Sequence, residues 1–402
     1  MAGMSAARGN GSQPQRTAPS VYGEDGVTII GMIGVVRESA ANQGATLSLF
    51  GGGINPGAEV PSGVDPDYIL DFARTHEAAG FDMVLTGYSS STPDGFEVAG
   101  YAAAHTERLG YLIAHRPGFV APTLAARKAA TLDQLTNGRI ALHIITGGND
   151  IEQRQDGDWL DHDSRYRRTD DYLDVMRRIW TETEPFDHAG EFYQLQAAYS
   201  QARCRQSPHV PLFFGGASEA ALDTASRRAD LFALWGEPRA SIAERIADVR
   251  RRVAATGRDP AEMRFSLSAR PIIAANGGKG LATGGGDPGA DPAGDGGTNH
   301  PGRADAAAVG RAWRLLRFAA EGNVHDERLW MPIAAASGAS GSTTCLVGTP
   351  QQVADALLAY YDLGCSAFII RGFDPLADAA DYGKELIPLV REGVAQRRRV
   401  GV

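Results

Sequence analysis

The sequence predicts an α/β protein built as a (β/α)8 TIM barrel, a closed ring of eight parallel strands joined by helices. Short apolar runs alternate with amphipathic helical stretches through most of the 402 residues, a pattern typical of parallel β/α architecture. Eight strand–helix units can be counted, which favours a closed barrel over an open sheet. The turn after the first strand, GVVRESAANQ, lacks the glycine fingerprint of an open dinucleotide-binding sheet.

The first half of the chain contains two helices with clear start signals. One is expected over residues 66–79, with Asp65 as N-cap and Pro66 in its first position. Another is expected over residues 122–135, where Pro122 suits the first turn and an Asn-Gly pair closes the helix. The strands of this half are predicted at residues 27–33, 82–85, 110–115 and 139–146.

The second half repeats the pattern. Residues 164–180 carry Tyr172, Met176 and Ile179 at helical spacing, which predicts a helix. A capping box from Thr349 to Gln352 starts the last strongly patterned helix, which Gly364 ends. The remaining strands are predicted at residues 210–215, 230–234, 264–273 and 367–370.

Composition limits the class of protein. The apolar fraction of 43% is enough for a sizeable core, and the net charge of −9 argues against a nucleic-acid partner. The three cysteines have neither metal-binding nor redox-pair spacing, so no metal and a reducing, cytoplasmic setting are expected. No apolar run is long enough to cross a membrane, so no membrane partner is expected either.

Glycine-rich, polar segments mark the expected boundaries. Residues 1–25 are predicted to be a flexible N-terminal tail and residues 397–402 a short C-terminal one, which leaves the barrel at 26–396. Residues 276–303 are low in complexity and nearly free of large apolar side chains. They form a glycine-rich insertion between strands seven and eight, expected to be either disordered or a lid over the site.

A barrel of this kind places its chemistry at the carboxyl ends of the strands. The residues at those ends are therefore the first candidates for a functional site. They are Arg37, Thr86, His115, Thr146, Gly215, Trp235, Arg270 and Arg371.

Two local patterns are suited to binding a phosphate. The turn Phe214-Gly215-Gly216-Ala217-Ser218 combines bare backbone N–H groups with a hydroxyl at a helix start. A tight strand–helix turn without a ligand would have the same sequence pattern. Arg165 and Tyr166 open a helix, where they would clamp an anion or form an ordinary solvated helix start.

Three arginines are expected at one side of the barrel mouth. Arg270, Arg371 and Arg37 end strands seven, eight and one, which are neighbours in a closed barrel. Three guanidinium groups there would favour an anionic ligand. The alternative is that these arginines form structural salt bridges with Glu38, Asp94 or Asp374.

Motifs of nucleophilic or metal-dependent hydrolysis are missing. The sequence has no G-x-S-x-G elbow, no H-E-x-x-H and no P-loop. This pattern indicates that the demanding chemistry belongs to a bound cofactor that carries a phosphate.

A series of short stretches, in a fixed order and spacing, links the chain to a known family. From about residue 65 to 394 it resembles the bacterial-luciferase-like flavin monooxygenases, most closely the FMN-dependent alkanesulfonate monooxygenase branch. The stretches are His115-Arg116-Pro117, residues 122–128 and 130–133, Asn137-Gly138-Arg139, Thr146-Gly147, residues 160–162, Arg165-Tyr166, residues 214–216 and residues 235–238.

The resemblance implies a luciferase-like barrel that binds reduced FMN as a co-substrate. Thr146 and Gly147 would lie beside the flavin, and the phosphate would be held by the Arg-Tyr pair and the glycine turn. The cofactor-binding residues implied are His115, Thr146, Gly147, Arg165, Tyr166, Gly216, Ala217, Ser218 and Trp235.

The activity implied is that of a two-component monooxygenase. It would use reduced FMN and O2 to oxygenate a small organic substrate. A separate NAD(P)H-dependent flavin reductase would supply the reduced flavin, in keeping with the missing nicotinamide fingerprint. Family habit implies a homodimer or homotetramer.

The substrate half departs from the alkanesulfonate branch. That branch carries Arg-x-His on strand seven, where this chain has Ser268, Ala269 and Arg270, and its motifs after strands two and eight also differ here, at residues 91–94 and 372–375. We therefore expect another small anion, a different sulfonate or a carboxylate, with Arg37, Arg270 and Arg371 as the catalytic candidates. An arginine would stabilise a developing anion, since it cannot act as a base at neutral pH.

Two other functions remain open on the sequence. A deazaflavin-dependent oxidoreductase would use the same barrel to transfer hydride without oxygen. A non-catalytic flavin-binding protein would keep the cofactor half and lose the substrate half. An aldolase is disfavoured because no lysine falls at a strand end.

Overall fold

A computed structural model of the chain describes residues 21–35, 64–274, 306–339 and 343–401, with the backbone alone for 306–312. Arg37, Glu38, the glycine-rich segment at 276–303 and residues 1–20 lie outside the described residues. None of the described helices combines the length and the apolar character that crossing a bilayer requires.

Eight parallel strands close into a barrel, as predicted. They pair in the order β1-β2-β3-β4-β7-β8-β9-β13, and β13 pairs back to β1. Their bounds are β1 Thr28–Met32, β2 Met83–Thr86, β3 Gly110–His115, β4 Ile140–Ile144, β7 Leu212–Gly215, β8 Leu231–Trp235, β9 Arg264–Ile273 and β13 Cys365–Ile370.

Helices cover the outside of the barrel. The capping signals predicted from sequence are present: the Asp65 side chain accepts from the Tyr68 amide, and Thr349 and Gln352 form a reciprocal capping box. The helices are α1 Pro66–Ala78, α2 Gly95–Ala103, α3 Pro122–Leu135, α4 Asp150–Gln155, α5 His162–Thr181, α6 Glu219–Arg228, α7 Arg239–Ala255, α8 Ala306–Glu321, α9 Pro332–Ala336, α10 Pro350–Asp362, α11 Pro375–Asp381 and α12 Ile387–Val400.

Two smaller additions were not predicted. A hairpin of β5 (Phe186–Ala189) and β6 (Gln194–Ala198) follows α5, and Asp171 anchors it by accepting from the amides of Phe192 and Tyr193. The second addition extends the end of β9, where β12 (Cys345–Gly348) pairs in parallel and β10 (Val324–His325) and β11 (Leu329–Trp330) continue the sheet.

The inside of the barrel is solid at its amino-terminal end. Ile30, Met83, Leu112 and Phe213 are fully buried there in one inner cluster. Tyr22 stacks on Phe213 with ring centroids 6.1 Å apart.

The flexible tail predicted over residues 1–25 is therefore too long. Val21 is buried in the inner cluster beside Tyr22, and Asp25 pairs with Arg391 of α12 at 2.6 Å. These contacts place residues 21–25 with the barrel, because closing its lower end buries apolar surface that the strands alone would leave exposed.

Some residues in the stretches that carry the family resemblance stabilise the barrel. Asp133 is fully buried and accepts from the amides of Arg205 and Gln206 at 2.6 and 3.0 Å. Arg139 donates to the carbonyl oxygens of Leu109 and Ala103. These residues lie away from the carboxyl ends of the strands, so they fix the barrel rather than the site.

Candidate active site

The carboxyl-terminal half of the barrel interior is open. Side chains alternate inward and outward along each strand. Most of the inward ones above the solid layer are half-buried, whereas those within that layer are buried. A well therefore descends from the mouth into the barrel. Its described wall includes Met32, Leu85, His143, Gly215, Ala233, Trp235, Ser268 and Arg371.

Helix α5 lies across the carboxyl ends of three neighbouring strands. Tyr172 Oη is 2.8 Å from Nε2 of His115, the last residue of β3. The hydroxyl of Thr146, just after β4, donates to Thr169 at 3.2 Å. Three residues earlier along the helix, Tyr166 reaches the turn that follows β7. Positions 166, 169 and 172 form one face of α5, which thus joins three predicted site residues.

The turn after β7 has the form of a phosphate cradle. A methyl group at Gly216 would overlap the side chain of Ala221 and would lie 3.3 Å from Tyr166 Oη, so only glycine allows this close approach. Ser218 caps α6, accepting from the Ala221 amide at 3.2 Å. Ala217 is half-buried between them.

The first turn of α6 adds its own donors to this cradle. The first backbone N–H groups of a helix have no partner within the helix, and the helix dipole favours an anion there. The acidic residue of that turn, Glu219, pairs with Arg252 at 2.7 Å on the outside of the barrel. The donor set therefore fits a phosphate; that residues 216–218 bind one stays a prediction.

A second glycine sits after β4. Gly147 has a φ of +97°, which favours glycine, and a Cβ there would overlap the amide of Gln153. Gln153 is fully buried. Thr146 and Gly147 are thus buried and tightly packed just after β4; that they lie beside a flavin stays a prediction.

Arg165, which the sequence predicts to bind the phosphate together with Tyr166, instead binds other residues of the protein. Its side chain is 1% exposed, contacts Asp150 at 2.5 Å and donates to the Leu160 carbonyl at 2.6 Å. These contacts tie α4 to the start of α5. The structure thus brings Tyr166 directly to the glycine turn and places the Arg165 guanidinium in an anchoring ion pair.

Two of the three predicted arginines lie side by side at the mouth. Ala269 of β9 pairs with Ile370 of β13, so Arg270 and Arg371 follow at the same level. Arg270 is 4% exposed, donates to the Gly372 carbonyl at 3.0 Å, and burial lowers its pKa.

The alternative function of Arg270 and Arg371 is to form structural salt bridges with carboxylates such as Asp94 or Asp374. Arg371 Nη1 lies 3.1 Å from Sδ of Met32, in the wall of the well. Asp94 and Asp374, the carboxylates named in that alternative, cap α2 and α11 by accepting backbone amides. Arg37 and Glu38 lie outside the described residues.

Trp235 ends β8 and is half-buried at the mouth. The family-like residues that follow it are structural: the Glu237 carboxylate binds Arg314 at 2.5 Å, and its carbonyl accepts from Tyr360 at 2.8 Å. Thr86, at the end of β2, is buried against Gly95 of α2. Only Trp235 of this group faces the well.

His115 is held neutral. Burial, with a smaller contribution from Lys128, lowers its pKa to about 4, and its ring also contacts Phe96 edge-on. It therefore orients Tyr172 and α5 rather than carrying a charge into the well. His76 stacks on Phe72 far from the mouth, and burial likewise lowers the pKa of His76 to about 4.

We expect the buried His76 to make the protein acid-sensitive. Its unfolded-state pKa is near 6.5, so the unfolded chain binds the proton first, and stability is lost as pH falls from about 6.5 to 4. Each pH unit in that window costs about 1.4 kcal/mol. Denaturant unfolding of wild type and His76→Gln between pH 7 and 4 measures this. The same slope in both proteins would contradict it, and the exposed His105→Gln variant is the control.

One inward-facing residue escaped the sequence analysis. His143 lies on β4, three residues before Thr146, in the wall of the well. The pattern that could have revealed it is the alternation of Ile140-Ala-Leu-His-Ile144, in which one polar side chain shares the inward face with alanine. Nothing in the sequence fixes which face of an apolar strand a lone histidine occupies, so the sequence alone does not identify His143 as a site residue.

Together, these features define a closed (β/α)8 barrel whose mouth carries a glycine turn at a helix start and an open well. A family model described as luciferase-like monooxygenase matches residues 45–367. The chain therefore belongs to the luciferase-like monooxygenase family, whose members are oxidoreductases that use a flavin or the deazaflavin F420.

Solved structures agree on the fold. EDTA monooxygenase from Chelativorans sp. BNC1 is 18% identical, with a TM-score of 0.69 over 94% of this chain and 98% of that one. DmoA from Hyphomicrobium sulfonivorans is 20% identical, with a TM-score of 0.65 over 93% and 88%. An F420-dependent secondary alcohol dehydrogenase is 17% identical, with a TM-score of 0.58 over 81% and 95%. Identities this low show the shared barrel alone.

Proposed function

We propose that this protein is a two-component monooxygenase that uses reduced FMN and O2 to oxygenate a small anionic organic substrate. The observation that carries the proposal is the layout of the mouth. The cradle at Gly216–Ser218 lies on one side and the Arg270–Arg371 pair on another, with an open well between them.

The cradle supports a cofactor that ends in a phosphate. Backbone N–H groups at the start of α6, the Ser218 hydroxyl and the Tyr166 hydroxyl surround a glycine that no larger residue could replace. Such a set binds phosphate through hydrogen bonds and the helix dipole. FMN carries a phosphate at the end of its ribityl chain, so these residues would hold that end.

The rest of the site would receive the ring and the substrate. The ring would lie beside the segment after β4, which is held firmly because Thr146 and Gly147 are packed against Thr169 and Gln153. Arg270 and Arg371 would bind an anionic group and fix it in the well, where the barrel walls exclude bulk water. When bound, FMN would supply the electrons that activate oxygen.

The source of the reduced flavin follows from the same reasoning. The sequence lacks a nicotinamide fingerprint, so we propose that a separate NAD(P)H-dependent flavin reductase delivers it. EDTA monooxygenase and DmoA have the same fold, which is compatible with this proposal. A homodimer or homotetramer is proposed on the family resemblance.

Isotope labelling tests the proposal. The protein, a generic flavin reductase, NADH and FMN are incubated with a panel of alkyl sulfonates and carboxylates under 18O2. We expect one oxygen atom of 18O2 in the product of at least one compound, and none when the protein is omitted. Turnover with reduced F420 and no label from 18O2 would favour the hydride-transfer function instead.

A further inference from the structure

His143 faces into the barrel at the level of the well. On β4, Ile140, Leu142 and Ile144 belong to the outer core between strands and helices, whereas Ala141 belongs to the inner cluster. Alternation along the strand therefore turns the His143 side chain inward.

The depth of His143 follows from strand register. It pairs with Ala114 of β3 on one side and Phe213 of β7 on the other. Ala141, two residues below, is fully buried, while His143 is half-buried with its Nδ1 covered. Its accessible surface therefore lies on the rest of the residue, and the imidazole forms part of the floor of the well.

The chemistry of this floor sets His143 apart. Arg270 and Arg371 stay protonated at any physiological pH. His115 points to α5, where it is bonded to Tyr172. Among the described residues that line the well, His143 thus offers an imidazole, a group that can both accept and donate a proton.

We propose that His143 is the proton-exchanging residue of this site; the inference rests on the proposed monooxygenase function. In the overall reaction one atom of O2 enters the substrate and the other leaves as water, taking two electrons and two protons from reduced FMN. His143 would accept one of these protons and pass it to the departing oxygen, so that it ends in the protonation state in which it began. Without substrate, the same electrons and protons leave with hydrogen peroxide.

The charged groups around the ring shape its response to pH. The neighbouring strands β3 and β7 present the apolar Ala114 and Phe213. The guanidinium groups of Arg270 on β9 and of Arg371, which directly follows β13, line the same mouth. Below, the phenol of Tyr22 stacks on Phe213, and burial raises its pKa well above 10. An ionisation that His143→Asn removes from the pH profile is therefore assigned to His143.

The test uses the full chain and FMN, and needs no known substrate. Bound reduced FMN is mixed with oxygen across pH 5.5 to 8.5, and its reoxidation rate is followed for wild type, His143→Asn and the exposed control His105→Asn. Loss of positioned proton transfer is expected to slow His143→Asn by roughly 100-fold and to remove one ionisation from the profile. His105→Asn should match wild type, and His143→Gln serves if the first variant does not fold.

A second readout does not depend on activity. The imidazole 15N resonances of the wild-type protein are recorded with and without oxidised FMN, and the His143 signal is assigned by its loss in His143→Asn. We expect FMN to shift that signal and its titration midpoint.

The outcomes separate the two ideas. If His143→Asn binds reduced FMN normally and its reoxidation rate and pH profile are unchanged, this inference alone is wrong. The same holds if FMN does not shift the His143 15N signal. Failure of wild type to bind reduced FMN overturns the proposed function and this inference together.

Discussion

Replacing Gly216 by valine is expected to weaken reduced-FMN binding by more than 100-fold. The side chain would overlap Ala221 and crowd the Tyr166 hydroxyl, so the phosphate could no longer approach the turn. Losing two hydrogen bonds to a charged phosphate costs about 3 kcal/mol or more, which corresponds to about 100-fold in affinity. Anaerobic titration of each variant with reduced FMN measures the dissociation constant.

Gly215 provides a matched control in the same turn. A methyl group there would meet Ala233 only at 3.6 Å, an ordinary contact, so Gly215→Ala should bind reduced FMN within a few-fold of wild type. Thermal melting confirms that both variants fold. Unchanged affinity in folded Gly216→Val would mean that the phosphate lies elsewhere.

Replacing Arg270 by alanine is expected to raise the substrate KM by about 100-fold while leaving reduced-FMN binding unchanged. A buried guanidinium bonded to an anionic group contributes roughly 2–5 kcal/mol, and alanine leaves the anion without that partner. Arg270 is suited to this role because it is buried at the mouth and its backbone is fixed by the Thr344 carbonyl at 2.9 Å. Steady-state kinetics with the compound that takes up 18O measures it.

Arg264 is the matched control, because it lies on the same strand at the opposite end of the barrel, over the ring of Tyr22. Arg264→Ala should leave KM unchanged. If KM and kcat are both unaltered in Arg270→Ala, the anion does not bind at the arginine pair. Arg270→Lys is expected to recover only part of the loss, since lysine cannot bind two oxygens with a planar fork.

The closed barrel could be predicted because its elements carry local signals. The proline and capping residues of α1, α3 and α10 mark their starts, and the apolar runs of β3 and β9 match the observed strands residue for residue. The β5–β6 hairpin was missed because its strands are polar and mostly exposed, so neither periodicity nor burial marks them. Its position depends on Asp171, a tertiary contact that no local pattern records.

The positions of the candidate site residues could be predicted where the barrel topology itself brings residues together. Strand ends must meet at one mouth, so Thr146, Gly216, Arg270 and Arg371 follow from the fold. Side-chain partners are a different matter: the ion pair of Arg165 with Asp150 depends on how α4 packs, which the sequence does not encode locally. His143 required knowledge of which way β4 faces, and the strand register supplies it.

The central claim is that the cradle and the well hold reduced FMN. Competitive anaerobic titration of the purified protein with reduced FMN and reduced F420 tests it most directly. We predict micromolar or tighter binding of reduced FMN, a preference of at least about tenfold over F420, and loss of that binding in Gly216→Val. Preferential binding of F420, or no binding of reduced FMN by wild type, would contradict the claim.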